Sequence, residues 1–314
     1  MPKSRIKPAK NEGKSWKGTF YPMNILFPML FTSFVRPVWA VVLGCLFFGV
    51  AFGQQANFVY SVGIMAGIAQ YSGDLSESPL QLPNLRPALG ISAQARLTTW
   101  LGLRASGSWL TLTASDAHAS DAIRQSRNLS FRSRIWEGSV QALLFAPLGR
   151  QVITPYLCGG VAVFRFNPRA YYQNQWVALQ PLSTEGQGLT PFNMRRYRLS
   201  SWALPVGAGL ACNLTKNLTL YAEAVYRRTF TDYIDDVSTT YFDPETLLQQ
   251  RGATAAALAN RSAEVIGENN LFPPGSVRGN PKYKDAYFLL TFTALWQLNS
   301  PASGGSKFER CYAF

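Results

Sequence analysis

The sequence predicts an all-β protein, an eight-stranded antiparallel up-and-down transmembrane β-barrel. Two observations predict this fold. Apolar residues recur at every second position in about eight runs between Tyr60 and Leu298, and a period of two indicates extended strands. The connections between these runs alternate in length. The first segment adds a third observation, because its basic and then apolar composition has the pattern of an export signal.

The last run is the clearest of the eight. Phe288, Phe292 and Trp296 share one face, whereas Thr291 and Thr293 share the other. Strands that lie between lipid and a filled lumen need this division into bulky apolar and small polar faces. The eight runs cover residues 57–70, 87–98, 101–113, 129–145, 154–166, 198–212, 217–230 and 284–298.

The connections are short at 98–100 and 213–216 but long at 167–196 and 231–283. Short periplasmic turns and long extracellular loops are typical of outer-membrane barrels with both termini inside. A soluble sandwich is the alternative, although nothing in a sandwich requires this alternation. A barrel of eight strands has an OmpA-like size and room only for side chains, so we expect a filled lumen without a pore.

The composition predicts three parts. Residues 1–53 form a leader, or signal peptide, with cleavage after Gly53; residues 54–298 form the barrel; and residues 299–314 form a flexible periplasmic tail. The leader is long, so translation starts either at Met1 or at Met23 or Met29. Cys45 in a loose lipobox is a further alternative. About half of the net charge of +13 lies in the leader, which removes the main support for a nucleic-acid partner.

Charged residues within the runs predict a lumen charge network. Glu223 is the acid of this network, and its predicted basic partners face the same side of their strands. Around Ile135 and Trp136 the alternation slips by one residue, and a β-bulge would absorb that slip. The predicted lumen residues are Arg96, Arg104, Arg132, Arg134, Glu223 and Arg227.

Three cysteines remain after the predicted leader. Cys158 and Cys212 lie in neighbouring runs, so they form either a cross-strand disulfide or two buried thiols. Cys311 in the tail is then unpaired. It forms either an intermolecular disulfide with a partner or a harmless free thiol.

The sequence offers little for catalysis. His118 is the only histidine, and Asp116 and Ser120 lie beside it in a predicted outer loop. Near neighbours on a loop rarely form a preorganised triad. We therefore expect no enzymatic activity and no cofactor, and the supply of Cys and His excludes a zinc site of the usual spacing.

A carboxylate-rich segment follows the seventh run. Asp232, Asp235 and Asp236 lack the EF-hand spacing and its glycine, so calcium is the lesser alternative and no metal is predicted. Instead, these carboxylates accept hydrogen bonds from the loop backbone or pair with Arg227 or Arg228.

Three segments resemble a family of Bacteroidota outer-membrane barrels that includes PorG, a component of the type IX protein secretion machinery. They are residues 67–75, 157–168 and 229–241, and the string Asp-Tyr-Ile-Asp-Asp-Val-Ser at 232–238 is the most specific of them. The signature residues carried over are Gly73, Asp74, Asp232, Tyr233, Asp235, Asp236, Ser238 and Tyr241. The likeness extends to the tail with Cys311 and Phe314, the two candidates for contact with a partner.

The resemblance implies a non-enzymatic structural component. Such a barrel anchors periplasmic lipoprotein and ring subunits of the secretion apparatus to the outer membrane, with lipid as its other partner. The alternative is a general structural or adhesive outer-membrane barrel that binds an external ligand through its extracellular loops.

Overall fold

The structure, a computed structural model, describes residues 58–76, 81–146, 152–190, 194–267 and 271–298. The predicted leader and the predicted tail with Cys311 and Phe314 lie outside these residues. Within the described ranges, ten strands form one antiparallel sheet. They are β1 (Val59–Ser72), β2 (Arg86–Arg96), β3 (Leu101–Ser115), β4 (Ser130–Phe145), β5 (Ile153–Arg165), β6 (Pro168–Tyr172), β7 (Gln175–Ala178), β8 (Ser200–Asn213), β9 (Leu218–Thr229) and β10 (Ala286–Gln297).

Eight of these strands close a barrel. Around the ring the order is β1, β10, β9, β8, β5, β4, β3 and β2, and every neighbouring pair is antiparallel. All eight predicted runs correspond to these strands within a few residues, so the predicted fold class is confirmed. The hairpin of β6 and β7 extends the sheet beyond the barrel, where Arg169 of β6 pairs with Arg132 of β4.

Short helices occupy the long loops: α1 (Ala122–Arg127), α2 (Pro244–Arg251), α3 (Ala253–Ala259) and α4 (Ala263–Ile266). Asp243 begins α2 because its carboxylate accepts the Thr246 backbone N–H at 2.8 Å, and Pro244 supplies a helical φ at the first position. In the described part of the chain, no helix has the length and apolar character to cross a membrane.

The barrel inverts the usual distribution of polar and apolar side chains. On β2, Ile91 is 68% exposed, whereas Gln94 of the same strand is 5% exposed. The exposed apolar residues form a belt around the outside of the barrel, and a soluble monomer rarely exposes so large an apolar area. Because all eight strands are paired on both sides, this belt can face lipid without an unsatisfied edge. The belt includes Ile64, Ile91, Trp136, Val140, Leu157, Val206 and Phe292.

The predicted β-bulge near Ile135 is wrong. The pairing of β3 with β4 runs without a break from Leu101 opposite Leu144 to Ser115 opposite Ser130. Along β4 the burial alternates regularly, so that Glu137 faces the lumen. The slip inferred from the sequence came from the assumption that every arginine of a transmembrane strand must face inward.

Candidate functional site: a filled lumen and a tethered loop cap

An ion pair crosses the middle of the lumen. Arg104 of β3 donates through Nη1 to Glu223 of β9, and these strands lie four positions apart around the ring. Arg104 is 2% exposed and Glu223 is 5% exposed. Gln94 accepts from Arg104 Nε at 3.1 Å and donates to the Tyr221 hydroxyl at 2.8 Å. The charges are therefore buried within a connected hydrogen-bond network.

A second ion pair lies nearer the long loops. Arg227 Nε donates to Glu137 Oε2 at 2.9 Å, and the Tyr287 hydroxyl donates to the same carboxylate. Arg227 is a predicted lumen residue, whereas Glu137 is absent from the predicted set. The sequence does carry a signal for Glu137, since it and Glu223 are the two carboxylates of the ten strands.

The other predicted lumen arginines have different positions. Arg96 lies at the short-turn end, 3.6 Å above the Phe145 ring, and donates to the Thr99 carbonyl at 2.8 Å. Arg132 and Arg134 were predicted to face the lumen, and this is wrong, because regular alternation along β4 places both on the outer face. A rim position lets their charged ends leave the apolar belt.

Two apolar layers fill the lumen above and below the charges. The layer at the short-turn end contains Leu143, Tyr156, Tyr221 and Leu295, all buried. The layer at the loop end contains buried side chains of the strands together with Ile234 and Val237 of the last long loop. The lumen is thus packed with side chains along the described strands, as expected for eight strands.

Of the two alternatives for Cys158 and Cys212, the disulfide is wrong. Both are free thiols. In the pairing of β5 with β8, Cys212 lies opposite Ile153, and Cys158 lies opposite Gly207. The two cysteines are thus about five residues, or about 17 Å, out of register, beyond the Cα separation that a disulfide spans. Cys158 also faces the lumen, whereas alternation along β8 turns Cys212 outward.

Above the lumen, Tyr71 joins two buried carboxyl groups. Its hydroxyl lies 2.7 Å from Asp235 Oδ2 and 2.6 Å from Asp285 Oδ1. A phenol has one proton to donate, so one of these two short contacts requires a protonated carboxyl as donor. Gly73 must be glycine here, because a Cβ would lie 2.1 Å from the Tyr71 hydroxyl oxygen and 2.2 Å from Asp285 Oδ1.

Arg278 ties the last two long loops together. Its guanidinium pairs with Glu185 Oε1 at 2.9 Å and donates to the Asp236 carbonyl. Glu185 in turn accepts the Ser238 backbone N–H at 2.8 Å. Arg278 is 2% exposed, so its charge is stabilised by these partners and not by water.

Arg127 ties the first two loops to the last. It forms a bidentate pair with Asp116, with both N–O distances at 2.7 Å. It also donates to the Arg278 carbonyl at 2.7 Å and to the Asp74 carbonyl at 3.2 Å. Together, the contacts of Arg127, Arg278 and Tyr71 join the four loops opposite the short turns into one cap over the barrel. We name the described residues of these loops, which lie within 73–85, 116–129, 166–199 and 230–285, the loop cap.

The signature residues lie in the loop cap. Asp74 Oδ2 accepts the Asn280 backbone N–H at 2.8 Å, and Asp232 Oδ2 accepts from the Ser238 hydroxyl at 2.6 Å. Tyr233 stacks on Tyr197 with ring centroids 4.4 Å apart. The remaining members, Asp235, Asp236, Ser238 and Tyr241, are all buried in the same region.

The structure decides between the two alternatives for the carboxylates of the signature loop. Asp235 Oδ1 accepts the Val237 backbone N–H at 2.9 Å, as predicted for loop carboxylates. The alternative pairing with Arg227 or Arg228 is wrong, since Arg227 pairs with Glu137 in the lumen and Arg228 is exposed on the outer face. Among the residues that the structure describes, no group of three or more Asp, Glu, His or Cys is arranged to hold a metal ion.

His118 lies exposed in the 3-10 turn Asp116–His118. Both oxygens of Asp116 accept hydrogen bonds from Arg127. Asp116 therefore holds Arg127 in place, and its carboxylate oxygens are engaged there instead of orienting the imidazole.

The carboxyl groups of the loop cap predict a pH dependence. Burial raises the pKa of Asp232 to about 7 and, against the opposing effect of Arg278, that of Asp236 to about 6. Burial and the nearby carboxyl group of Asp285 also raise the pKa of Asp235, and burial raises that of Asp285. The folded cap therefore binds more protons than the unfolded cap between about pH 4 and 7.

We expect the loop cap to be most stable at acidic pH and to lose stability as the pH rises to about 7. Hydrogen exchange of amides 232–241, corrected for intrinsic rates, should show stronger protection at pH 5 than at pH 8. Asp285→Asn should reduce this difference, because asparagine can accept from the Ile234 N–H but does not ionise. Equal protection at both pH values, or an unchanged difference in Asp285→Asn, would contradict this assignment.

Several residues of the loop cap were missed by sequence reasoning: Tyr71, Arg127, Glu185, Arg278 and Asp285. Their contacts join positions as far as 214 residues apart, and local sequence carries no signal for such pairings. Gly73 and Asp74 came from the family resemblance, and the structure brings them together with residues 232–241 in the cap. The third segment of the resemblance, 157–168, lies mostly in β5.

Several solved structures of outer-membrane proteins are similar to this chain. Neisserial surface protein A is 12% identical, with 76% of this chain and 97% of that chain covered and a TM-score of 0.38. A major outer membrane protein from Thermus thermophilus is 14% identical, with coverages of 76% and 99% and a TM-score of 0.35. OprG from Pseudomonas aeruginosa is 8% identical, with coverages of 77% and 96% and a TM-score of 0.33.

The barrel assignment rests on the strand pairing of the chain itself. No protein of curated function matches the sequence significantly. The sequence profile of one family, described as Domain of unknown function (DUF6089), matches residues 40–247. That match covers about two thirds of the chain and includes seven of the eight barrel strands together with the signature loop. The chain is therefore a member of the DUF6089 family.

Proposed function

We propose that this protein is a non-enzymatic anchor in the outer membrane that holds a periplasmic assembly of a type IX-like protein secretion apparatus. The observation that carries the anchoring role is an apolar belt around a lumen closed by two buried ion pairs. Such a barrel resides in lipid but offers no water-filled path, so it suits attachment better than transport. The secretion role rests on the family resemblance of the signature loop.

The proposed orientation places the short turns and both termini in the periplasm. β10 ends beside the turn between β8 and β9, where the Gln297 N–H donates to the Asn217 carbonyl at 2.8 Å. β1 begins at the same rim, since Ser61 pairs with Gln297. The described chain therefore ends, at Leu298, on the rim that we propose to be periplasmic. Cys311 and Phe314 follow in the sequence and are the candidate contacts with lipoprotein or ring subunits.

Deletion in the native host tests the secretion role. Without this protein, cargo proteins should stop reaching the cell surface, and re-expression of the intact chain should restore their export. A chain that ends at residue 298 keeps all eight barrel strands, so it should insert normally and yet fail to restore export. Normal cargo export in the deletion strain would rule out the secretion role.

A disulfide at Cys311 is a more specific prediction. Wild type should form a high-mass adduct on non-reducing gels, and Cys311→Ser should lack it. Cys212→Ser is the matched control, because Cys212 is a free thiol on the outer face and should leave the adduct unchanged. Identical lanes for wild type and Cys311→Ser would remove the disulfide.

A second candidate is a surface barrel that binds an external ligand. The loop cap exposes apolar side chains, with Leu82 and Val277 each 73% exposed and Tyr283 74% exposed. If this candidate holds, Val277→Ser with Tyr283→Ser should weaken binding of cells to the ligand while cargo export stays normal. His118→Ala should change neither phenotype if the protein is not an enzyme.

A further inference from the structure

Four arginines cluster on the outer face where the strands approach the long loops. They are Arg132, Arg134, Arg165 and Arg169, which we name the rim arginines. Arg132 lies directly opposite Arg169 in the pairing of β4 with β6. Arg165 lies opposite Trp136, which places it diagonally from Arg134. The Cβ atoms of residues in such positions are about 5–8 Å apart, so the four arginine side chains arise from one small patch of the outer face.

No counter-charge from the described residues neutralises this patch. The ten strands hold two carboxylates, Glu137 and Glu223, and both face the lumen in ion pairs. None of the rim arginines forms an ion pair with a described residue, and Arg132 Nε is buried without an acceptor there. Like charges directly opposite each other are destabilising, so the patch would be stabilised by an anion from outside the chain.

The position of the patch relative to the bilayer indicates which anion is within reach. Trp136 is 65% exposed, its ring lies 6.3 Å from that of Trp109, and exposed tryptophans mark the boundary of a bilayer. Arg134 and Arg132 follow two and four residues beyond Trp136, about 7 and 14 Å along the strand. The rim arginines therefore lie at the level of lipid headgroups, and Arg132 is held there with its guanidinium 4.2 Å above the Trp176 ring.

We propose that the rim arginines bind the phosphate groups of phosphorylated glycolipids in the outer leaflet. Guanidinium groups donate pairs of hydrogen bonds that match phosphate oxygens, and they are less strongly hydrated than ammonium groups. The lipid would supply the charge that the strands lack, on one side of the barrel. This inference rests on the orientation given under the proposed function, with the long loops outside, and not on the secretion role.

The test compares two lipids that differ only in phosphate. Full-length protein in neutral detergent is titrated with diphosphorylated lipid A and with the same lipid after enzymatic dephosphorylation, and bound lipid is counted by native mass spectrometry. Wild type should prefer the phosphorylated lipid by at least about tenfold, the equivalent of one charge-assisted hydrogen bond. Arg134→Gln with Arg165→Gln should remove most of that preference.

The matched control is Lys282→Gln with Lys284→Gln, which removes the same charge from exposed positions of the loop cap. It should keep the preference. Equal binding of both lipids by wild type, or an equal loss in the control, would overturn the proposal, as would full displacement of the lipid by millimolar inorganic phosphate. Heat-modifiable mobility on gels verifies that each variant is folded, and cargo export in the native host is not needed for any of these readouts.

Discussion

Replacing Val140 with arginine is expected to destabilise the barrel in lipid vesicles by about 2–4 kcal/mol. Val140 is 55% exposed on β4, between Trp136 near one boundary of the belt and Leu144 near the other. If this surface faces lipid, the guanidinium must leave water without gaining a hydrogen-bond partner. If it faced water, the same exposed substitution would change stability by only about 0.5 kcal/mol.

Urea unfolding of the vesicle-bound protein measures this effect, and a depth series makes it specific. Leu144→Arg, near the boundary of the belt, should destabilise by no more than about 1 kcal/mol. Val277→Arg in the loop cap is the control, because Val277 is more exposed than Val140 but lies outside the belt. A small effect at Val140, or equal effects at all three positions, would show that the belt does not lie in lipid.

Glu223→Leu is expected to destabilise the barrel by about 3–5 kcal/mol, because it leaves the Arg104 guanidinium charged and buried without its carboxylate. Arg104→Met should have a comparable effect, since it leaves the Glu223 carboxylate buried without its arginine. The double variant, Arg104→Met with Glu223→Leu, removes both charges and fills much of the same volume. It should therefore be clearly more stable than either single variant.

The same unfolding measurement gives the coupling energy between the two residues. The ion pair of Arg261 with Glu264 in the loop cap is the control, with an N–O distance of 2.8 Å but a Glu264 side chain that is 39% exposed. Glu264→Leu should destabilise by less than about 1 kcal/mol. If the double variant were no more stable than the single variants, the ion pair of Arg104 with Glu223 would not stabilise the lumen as proposed.

The sequence was most informative where the bilayer imposes a regular pattern. Every barrel strand has one face toward lipid and one toward the lumen, so Phe292 and Thr291 could be assigned to opposite faces from alternation alone. The rule failed at the rim, where the headgroup region accepts charge on the outer face. Arg132 and Arg134 lie there, and reading them as lumen residues also created the false bulge in β4.

Strand register and the contacts between loops could not be predicted from the sequence. Cys158 and Cys212 lie on neighbouring strands as expected, but the stagger between those strands depends on the closure of the whole ring. In the loop cap, composition indicated a carboxylate-rich loop but not its partners. Arg278 meets Glu185 across 93 residues because the barrel brings the loop ends together.

The pairing of the first strand with the last has a consequence for biogenesis. Ser61 of β1 lies opposite Gln297 of β10, so closure joins two segments from opposite ends of the folded region. Synthesis must be finished before the seam can form, and until then β1 and β9 each present an unpaired, aggregation-prone margin. A nascent chain that stops before Ala286 lacks β10 and cannot close the barrel. It should therefore depend on holding chaperones and be degraded.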